Sequence, residues 1–253
     1  MTVSASIVTF NSENKISMIL DSIYNSTTAV ETIVIDNASK DGTVSLVQNR
    51  YPFVKFIQSE INLGFGKANN LAIQTLNSDY HIIANPDIQF APDVIERLCD
   101  FMEENPDVVL IIPKFLNVDG TEQFTPKRIP TIKYLLSGYL EHIFHKEIKA
   151  RSEYTFRNQR ITEPVDIGFT SGCFMFCRTD ALKKVKGFDE KFFLYLEDAD
   201  LGRRMKEYGR VIYFPDVAVT HHWDRNNHNF GSGMLHEFAS IYRYYKKWKW
   251  KKK

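Results

Sequence analysis

Cysteine is scarce in this chain, no glycine run is available to cradle a phosphate, and no apolar stretch is long enough to cross a bilayer. The three cysteines, Cys99, Cys173 and Cys177, are odd in number and match no paired zinc spacing. Reduced core thiols of a cytosolic protein are therefore expected, and a disulfide framework is not. The chain enters a strand-like segment at once, with no basic stretch leading into a long apolar one, so no targeting segment is expected. Internal repeats are lacking, and the only low-complexity stretch is the lysine-rich end. Net charge is also small, +1 from 32 bases and 31 acids, but it is unevenly spread. Residues 243–253 hold seven Lys or Arg and no acid, which leaves 25 bases against 31 acids, net −6, over 1–242. A mildly acidic body excludes a broad nucleic-acid-binding face. What is present, 43% hydrophobic and 25% charged residues over 253 positions, suits one large soluble domain or a domain with an extension.

The first half alternates. Val3 to Phe10 reads as a strand, and Ser12 is placed to cap a helix carrying Ile16, Ile19, Leu20 and Ile23 on one face. Thr32 to Asp36, Val54 to Gln58 and Tyr80 to Ala84 read as further strands. Helices are expected over Asp41 to Tyr51 and up to Leu76. This βαβαβαβ order predicts an α/β domain with a mostly parallel sheet covered on both faces. Ligands of such sheets bind at the carboxyl ends of the strands, where Asn11, Asp36 and Asp87 stand. Later, Pro92 to Asn105 reads as a helix, and Val108 to Ile112, Thr170 to Cys177 and Val211 to Phe214 read as strands, with Pro215 as a stop. Residues 121–163 are the least legible, with ten basic or histidine residues from Lys127 to Arg160 among aromatic and aliphatic ones. A solvated helical insert and a surface for an anionic acceptor both fit them.

Three carboxylates, Glu197, Asp198 and Asp200, follow the run Phe192-Phe193-Leu194-Tyr195-Leu196. Leu201, Met205 and Tyr208 recur at helical spacing and Gly209 supplies a stop, so a helix is expected from about Glu197. Asp198 would lie in its first turn, where the helix dipole favours the ionised carboxylate. Acids decorating a helix start are also common for no catalytic reason.

The order Gly-Phe-Asp-Glu, aromatic run, Glu-Asp-x-Asp-Leu resembles the inverting GT-A glycosyltransferases of family 2. The likeness is nearest to their bacterial rhamnosyltransferase branch, and it covers roughly residues 4–245 in motif order. The resemblance implies that Asp198 is the base that deprotonates the acceptor hydroxyl. It implies a nucleotide site from Val8, Phe10 and Asn11 at the first strand end, with Phe10 packing on the base, and Asp36 accepting from a pyrimidine N–H. Asp36 capping the next helix is the plainer alternative, although Asp41 is placed to do that instead. Asn62-Leu63-Gly64-Phe65 is similar to the family's turn beside the nucleotide. Lys67 either reaches a phosphate or is an exposed helical lysine. Asn69 stands where a dinucleotide fingerprint needs its third glycine, so that motif is not met. Asn85-Pro86-Asp87 resembles the Asp-x-Asp metal motif with Asn in the first place, so Asp87 would hold Mg²⁺ or Mn²⁺ against the donor diphosphate. Gly172 and Glu197 would adjoin donor or acceptor sugar. His221, preferred to His222, would touch the diphosphate or its metal.

The domain division expected is a GT-A domain over 1–230, with a nucleotide-binding half (1–115) and an acceptor half (116–230), followed by 231–253 as a basic aromatic helix. Leu235, Phe238, Tyr242 and Tyr245 form its apolar stripe, with Trp248 and Trp250 following among lysines. Either it docks on the body, or it lies on an anionic membrane. The resemblance implies dTDP-L-rhamnose as donor, another dTDP- or UDP-sugar coming second. It implies a polyprenyl-diphosphate-linked saccharide as acceptor, at the cytoplasmic face of the cell membrane. The Gln-x-x-Arg-Trp signature of processive synthases is missing, which favours addition of one or a few sugars. A nucleotidyltransferase would need glycine and arginine in the first loop, which here reads Thr9-Phe10-Asn11-Ser12-Glu13. A binding module without chemistry would have little reason to keep both Asp87 and Asp198.

Overall fold

All seven residues of β1 (Val3–Thr9) are buried, as in a strand covered on both faces. The computed structural model describes residues 1–169, 171–223 and 232–248, with the side chains of His142 and 232–237 outside that description. After β1 come α1 (Ile16–Tyr24), β2 (Val30–Asp36), α2 (Thr43–Arg50), β3 (Lys55–Gln58), α3 (Phe65–Ile73) and β4 (Tyr80–Ala84). β1 pairs in parallel with β2 and β4, and β2 with β3. Ile16, Ile19, Leu20 and Ile23 are all buried, as their spacing predicts. Ser12 departs from expectation. α1 begins at Ile16, and among the described residues no side chain caps it. The Ser12 hydroxyl is instead held in the turn by Phe10, at 3.3 Å from its carbonyl oxygen.

The chain continues through β5 (Ile88–Phe90), α4 (Val94–Glu104), β6 (Val108–Leu116), β7 (Glu122–Gln123), α5 (Ile132–Phe144) and α6 (Lys149–Tyr154). It ends with β8 (Val165–Asp166), β9 (Phe174–Arg178), α7 (Thr179–Lys184), α8 (Glu197–Met205), β10 (Arg210–His221) and α9 (Ser232–Trp248). One sheet runs β3-β2-β1-β4-β9-β6-β10-β5, with β7 beside β6 and β8 beside β10. The two longest pairings, β10 with β6 and β1 with β2, are parallel. β9 lies antiparallel between β4 and β6, and β5 antiparallel on β10.

Several strands differ from the sequence reading: β6 runs on from Ile112 to Leu116, the short β5, β7 and β8 are absent from that reading, and β9 and β10 have other bounds. β9 starts at Phe174, so Gly172 lies in the approach to the strand and not within it. β10 does not stop at Pro215 but runs on to His221. The pairing with β6 shifts register between Phe214 and Ala218. That irregularity absorbs the missing proline donor, which a continuous ladder could not. The extension matters because it delivers His221 opposite Ile88, next to Asp87.

The poorly legible region is a helical pair, α5 and α6. Thr131 caps α5 by accepting from the Tyr134 N–H, and Tyr134 stacks on Tyr154 with centroids 5.1 Å apart. α9 contributes Tyr244 to a second small core with Phe169, Phe192, Leu196 and Ala199. Trp248 packs against that cluster, so the docked reading of the last helix holds for this face. The Trp248 ring is held against α8, where its indole N–H donates to Asp200. Phe238 and Tyr242 of the expected stripe are exposed. The Leu235 side chain, Trp250 and the loop 224–229 lie outside the described residues.

Candidate active site

The site is built from strand ends and one helix start. At the end of β1, Val8 is buried, while Phe10 is half exposed and Asn11 adopts a left-handed φ of 50°. The Asn11 N–H donates to Ser39 Oγ, and Asn11 Oδ1 accepts from the Lys40 N–H, both at 2.8 Å. At the end of β2, Asp36 is fully buried. Its Oδ1 accepts from Thr9 Oγ1 at 3.1 Å and its Oδ2 from the Ser39 N–H at 3.0 Å. Asp36 is thus not left free by Asp41, as the sequence reading supposed. It closes the 36–39 turn, while Asp41 takes the N–H groups of Glu13 and Thr43.

Asn37, unremarked in the sequence, joins this turn to the next. It donates to Asn62 Oδ1 at 2.9 Å and accepts from the Leu63 N–H at 2.8 Å. Gly64 has φ +80°, and a Cβ there would stand 2.5 Å from the Phe193 carbonyl oxygen. Only glycine allows the aromatic run to approach the turn so closely. Lys67 is exposed on α3.

Beyond β4, the Asn85 N–H donates to the Cys173 carbonyl at 2.9 Å. The preceding residue, Gly172, donates its N–H to Asp198 Oδ2 at 3.0 Å. A Cβ on Gly172 would lie 3.3 Å from Phe65 and 3.4 Å from the Asp198 Cβ, so this contact is tight. The two-residue segment 172–173 therefore bridges the Asn85-Pro86-Asp87 turn and the head of α8.

Asp87 is buried. Its Oδ2 stands 3.5 Å from Lys15 Nζ, and its Oδ1 stands 3.4 Å from His221 Nε2. Among the described residues Oδ1 has no hydrogen bond. Burial by itself would raise the Asp87 pKa, but His221 and Lys15 more than offset it and hold it below the usual range. Burial depresses the His221 pKa, yet Asp87 and Cys173 beside it push it up to about 10. The ring thus carries a proton and positive charge at neutral pH. His221 Nδ1 faces Gln123 Oε1 at 3.1 Å. His222 turns the other way, to Gln89, as successive residues of an extended chain do. Among the described residues no three His, Cys, Asp or Glu side chains converge as a metal cage. A buried carboxylate oxygen that makes no hydrogen bond among the described residues and faces the His221 ring nevertheless fits a cation that displaces the ring proton and receives its other oxygens from a ligand.

At the head of α8, Tyr195 and Leu196 both have left-handed φ, 69° and 64°. Two consecutive non-glycine residues in that region are strained, and such strain clusters at functional sites. The bend presents Glu197 and Asp198. Asp198 is partly exposed, with Oδ1 accepting from the Ala199 N–H at 2.8 Å. Burial pushes its pKa up, and the Gly172 N–H, the Lys127 charge and the Ala199 N–H pull it only part of the way back. The expected depression by the helix start is therefore corrected, because desolvation outweighs the dipole. Glu197 is buried, its Oε2 has no hydrogen bond among the described residues, and its pKa is raised by burial and by Asp198. Lys127, which the sequence offers only as one of ten basic or histidine residues in the insert, stands in the structure near Asp198. It sits over the Phe169 ring at 4.5 Å, and its own pKa, lowered by burial, is partly restored by Asp198. A single lysine in an aromatic insert carries no pattern that would have singled it out.

Residues 4–186 match the family model described as Glycosyl transferase family 2. The chain is 32% identical over 209 residues to N-acetylglucosaminyl-diphospho-decaprenol L-rhamnosyltransferase of Mycobacterium tuberculosis, covering 76% of this chain and 66% of that one. It thus spans about two thirds of that relative's length. It is 24% identical over 249 residues to Rhamnosyltransferase WbbL of Escherichia coli K12, covering 94% and 90% of the two chains. Among solved structures, mannosyltransferase PcManGT from Pyrobaculum calidifontis in complex with GDP-Man and Mn2+ superposes with a TM-score of 0.62 at 17% identity, over 95% of this chain and 64% of that one. This last likeness concerns the fold, a mixed α/β sheet flanked by helices.

Proposed function

The chain belongs to glycosyl transferase family 2, and we propose that it transfers L-rhamnose from dTDP-L-rhamnose to a hydroxyl of a polyprenyl-diphosphate-linked saccharide, with inversion. The observation that carries this reading is the bridge through Gly172 and Cys173. It holds Asp198 on one side and leaves Asp87 with His221 on the other. A base and a charge clamp on opposite sides of one short segment is what a single displacement needs. One relative named as an N-acetylglucosaminyl-diphospho-decaprenol L-rhamnosyltransferase and another named as a rhamnosyltransferase support a transferred rhamnose and a polyprenyl-diphosphate-linked acceptor.

In this reading residues 1–115 hold the nucleotide and 116–230 the acceptor, with 231–253 as an extension. Val8, Phe10, Asn11, Asp36, Asn62, Gly64, Lys67 and Asn85 surround the nucleotide, and the exposed Phe10 ring gives the base a platform. Gly172 and Glu197 adjoin the sugars. Asp198 takes the proton of the acceptor hydroxyl as that oxygen bonds to the anomeric carbon. The bond from that carbon to the diphosphate oxygen breaks on the far side, which inverts the centre. A raised pKa makes Asp198 a stronger base once ionised.

Asp87, joined by His221 once that ring gives up its proton as the cation binds, would hold Mg²⁺ or Mn²⁺ with the diphosphate oxygens. When bound, the cation supplies neutralisation of the charge on the departing nucleotide. Among the described residues no helix is long and apolar enough to cross a membrane. In this reading the lipid-linked acceptor is met at the inner membrane face from the cytoplasm, to which the basic residues 243–253 are suited.

The test is a panel of dTDP-, UDP- and GDP-sugars scored by nucleotide release and by product anomeric configuration, with Asp198→Asn beside the unsubstituted chain. The expected result is turnover with dTDP-L-rhamnose, lowered about 10²–10⁴-fold by Asp198→Asn with nucleotide binding retained. Binding without turnover on every donor would instead leave a nucleotide-sugar binding module.

A further inference from the structure

α5 turns an apolar face outward. Ile132, Leu136, Leu140, Ile143 and Phe144 are between 42% and 65% exposed. At 100° per residue they fall within an arc of about 120°. The opposite side of the helix is occupied: Ser137 is buried, Tyr134 stacks on Tyr154, and Gly138 lies against Arg151 of α6. The face continues onto α9, because Tyr139 stacks on Phe238 with centroids 6.2 Å apart, and Phe238 and Tyr242 are themselves exposed. An isolated exposed leucine needs no explanation, but a contiguous patch of this kind marks a contact surface.

Charge identifies the partner. Residues 125–160 hold eight Lys or Arg against three Glu, and residues 243–253 hold seven bases and no acid. The remainder of the chain carries 17 bases and 28 acids, net −11. Excess positive charge is thus confined to the segment that contains α5 and to the one that ends α9. These are the two helices joined at the Tyr139–Phe238 stack. Lys133, ion-paired with Glu153 at 3.0 Å, stands at one end of the apolar face, and Lys146 and Lys149 are exposed at the other.

We propose that this face of α5, with the adjoining surface of α9, is a docking surface for an anionic lipid bilayer. The apolar arc enters the headgroup boundary, the flanking lysines meet lipid phosphates, and the acidic remainder is kept away from the surface. A helix of 13 residues is too short to span and long enough to lie flat. A second copy of the chain fits less well, since a symmetric pairing would set like charges against each other. The inference deepens the membrane-side part of the proposed function. Its test uses no sugar donor, so a failure of lipid binding and a failure of transfer are read separately.

The experiment is co-sedimentation of the full chain with vesicles of phosphatidylglycerol and phosphatidylethanolamine, beside vesicles of phosphatidylcholine alone. Binding to the anionic vesicles is expected, and the combined variant Leu136→Gln, Leu140→Gln, Phe144→Gln is expected to weaken it at least about tenfold with an unchanged Tm. Because that variant could lose structure, a second one, Leu140→Trp, reports directly: its added fluorescence should shift to the blue on anionic vesicles. Absence of binding, equal binding to phosphatidylcholine, or loss of binding only with Lys251→Gln, Lys252→Gln, Lys253→Gln would each overturn the assignment. So would a dimer in solution that the α5 variant splits while vesicle binding persists.

Discussion

The Trp248 indole Nε1 donates a hydrogen bond to Asp200 Oδ1 at 3.0 Å. Asp200 is fully buried on α8, two residues beyond Asp198. Lys247 Nζ stands 2.8 Å from the same oxygen, and Arg204 Nε stands 2.8 Å from Oδ2. Arg204 also donates to the Val185 and Gly187 carbonyls. One buried carboxylate thus fastens the last helix to the helix that presents the proposed base. Of the three acids that draw the eye in the sequence, Asp200 is the structural one.

Taking that carboxylate away leaves two cations facing a dry pocket. Asp200→Ala is expected to cost about 3 kcal/mol of unfolding free energy, the low end for a broken buried pair because Lys247 retains some contact with water. Trp248→Phe, which removes one neutral donor, should cost about 1 kcal/mol. Urea unfolding measures both, and equal losses would refute the ranking.

Asp198 has a raised pKa and must be ionised to accept a proton. The acid limb of kcat/KM is therefore expected above the ordinary aspartate range, with activity falling as the pH drops through it. Lys127 opposes the rise by its charge, so Lys127→Met should move the limb to still higher pH. A pH–rate profile of the two proteins decides. A limb that stays in place in Lys127→Met would show that the lysine does not act on the base.

Glu197 makes the stability itself depend on pH. Its pKa is raised from 4.5 to about 8 in the fold, by burial and by Asp198. A group raised on folding favours the fold when protonated, so its contribution is complete below about pH 4.5 and is lost as the pH rises towards about 8. Glu197→Gln stays neutral throughout and should flatten this part of the Tm-against-pH curve. Calorimetry across that window checks it, and parallel curves would count against a protonated Glu197.

Asp87→Asn removes the charge that faces His221 and Lys15. Stabilisation by dTDP with Mn²⁺ is expected to shrink in this variant towards that seen with dTDP alone. Thermal shifts with and without the metal make the comparison. A full metal-dependent shift in Asp87→Asn would place the cation elsewhere.

Much of the first half was legible. β1, β2 and β4 are buried at most or all positions and read as short apolar runs, and α1 shows its burial in the 3.6-residue spacing of four apolar residues. Asp36, Asp87 and Asp198 stand at or just beyond strand ends or at a helix start, where local pattern marks polar residues, but their proposed roles come from the family resemblance and not from the pattern. β10 was cut short because Pro215 is a local stop signal, and only the neighbouring β6 can accommodate the bulge that carries it onward. α5 lacked a clean pattern because its apolar residues are shared between an inward and an outward face.

The order of residues alone determined the alternation of strands and helices and the polar groups at their ends, because periodicity along a chain records which side of each element is wet. Only the tertiary structure decided that Asp198 is shielded rather than favoured by its helix, that Lys127 answers it from 71 positions away, and that Trp248 turns inward. Those are outcomes of desolvation and through-space charge, and both depend on neighbours that the linear order keeps apart.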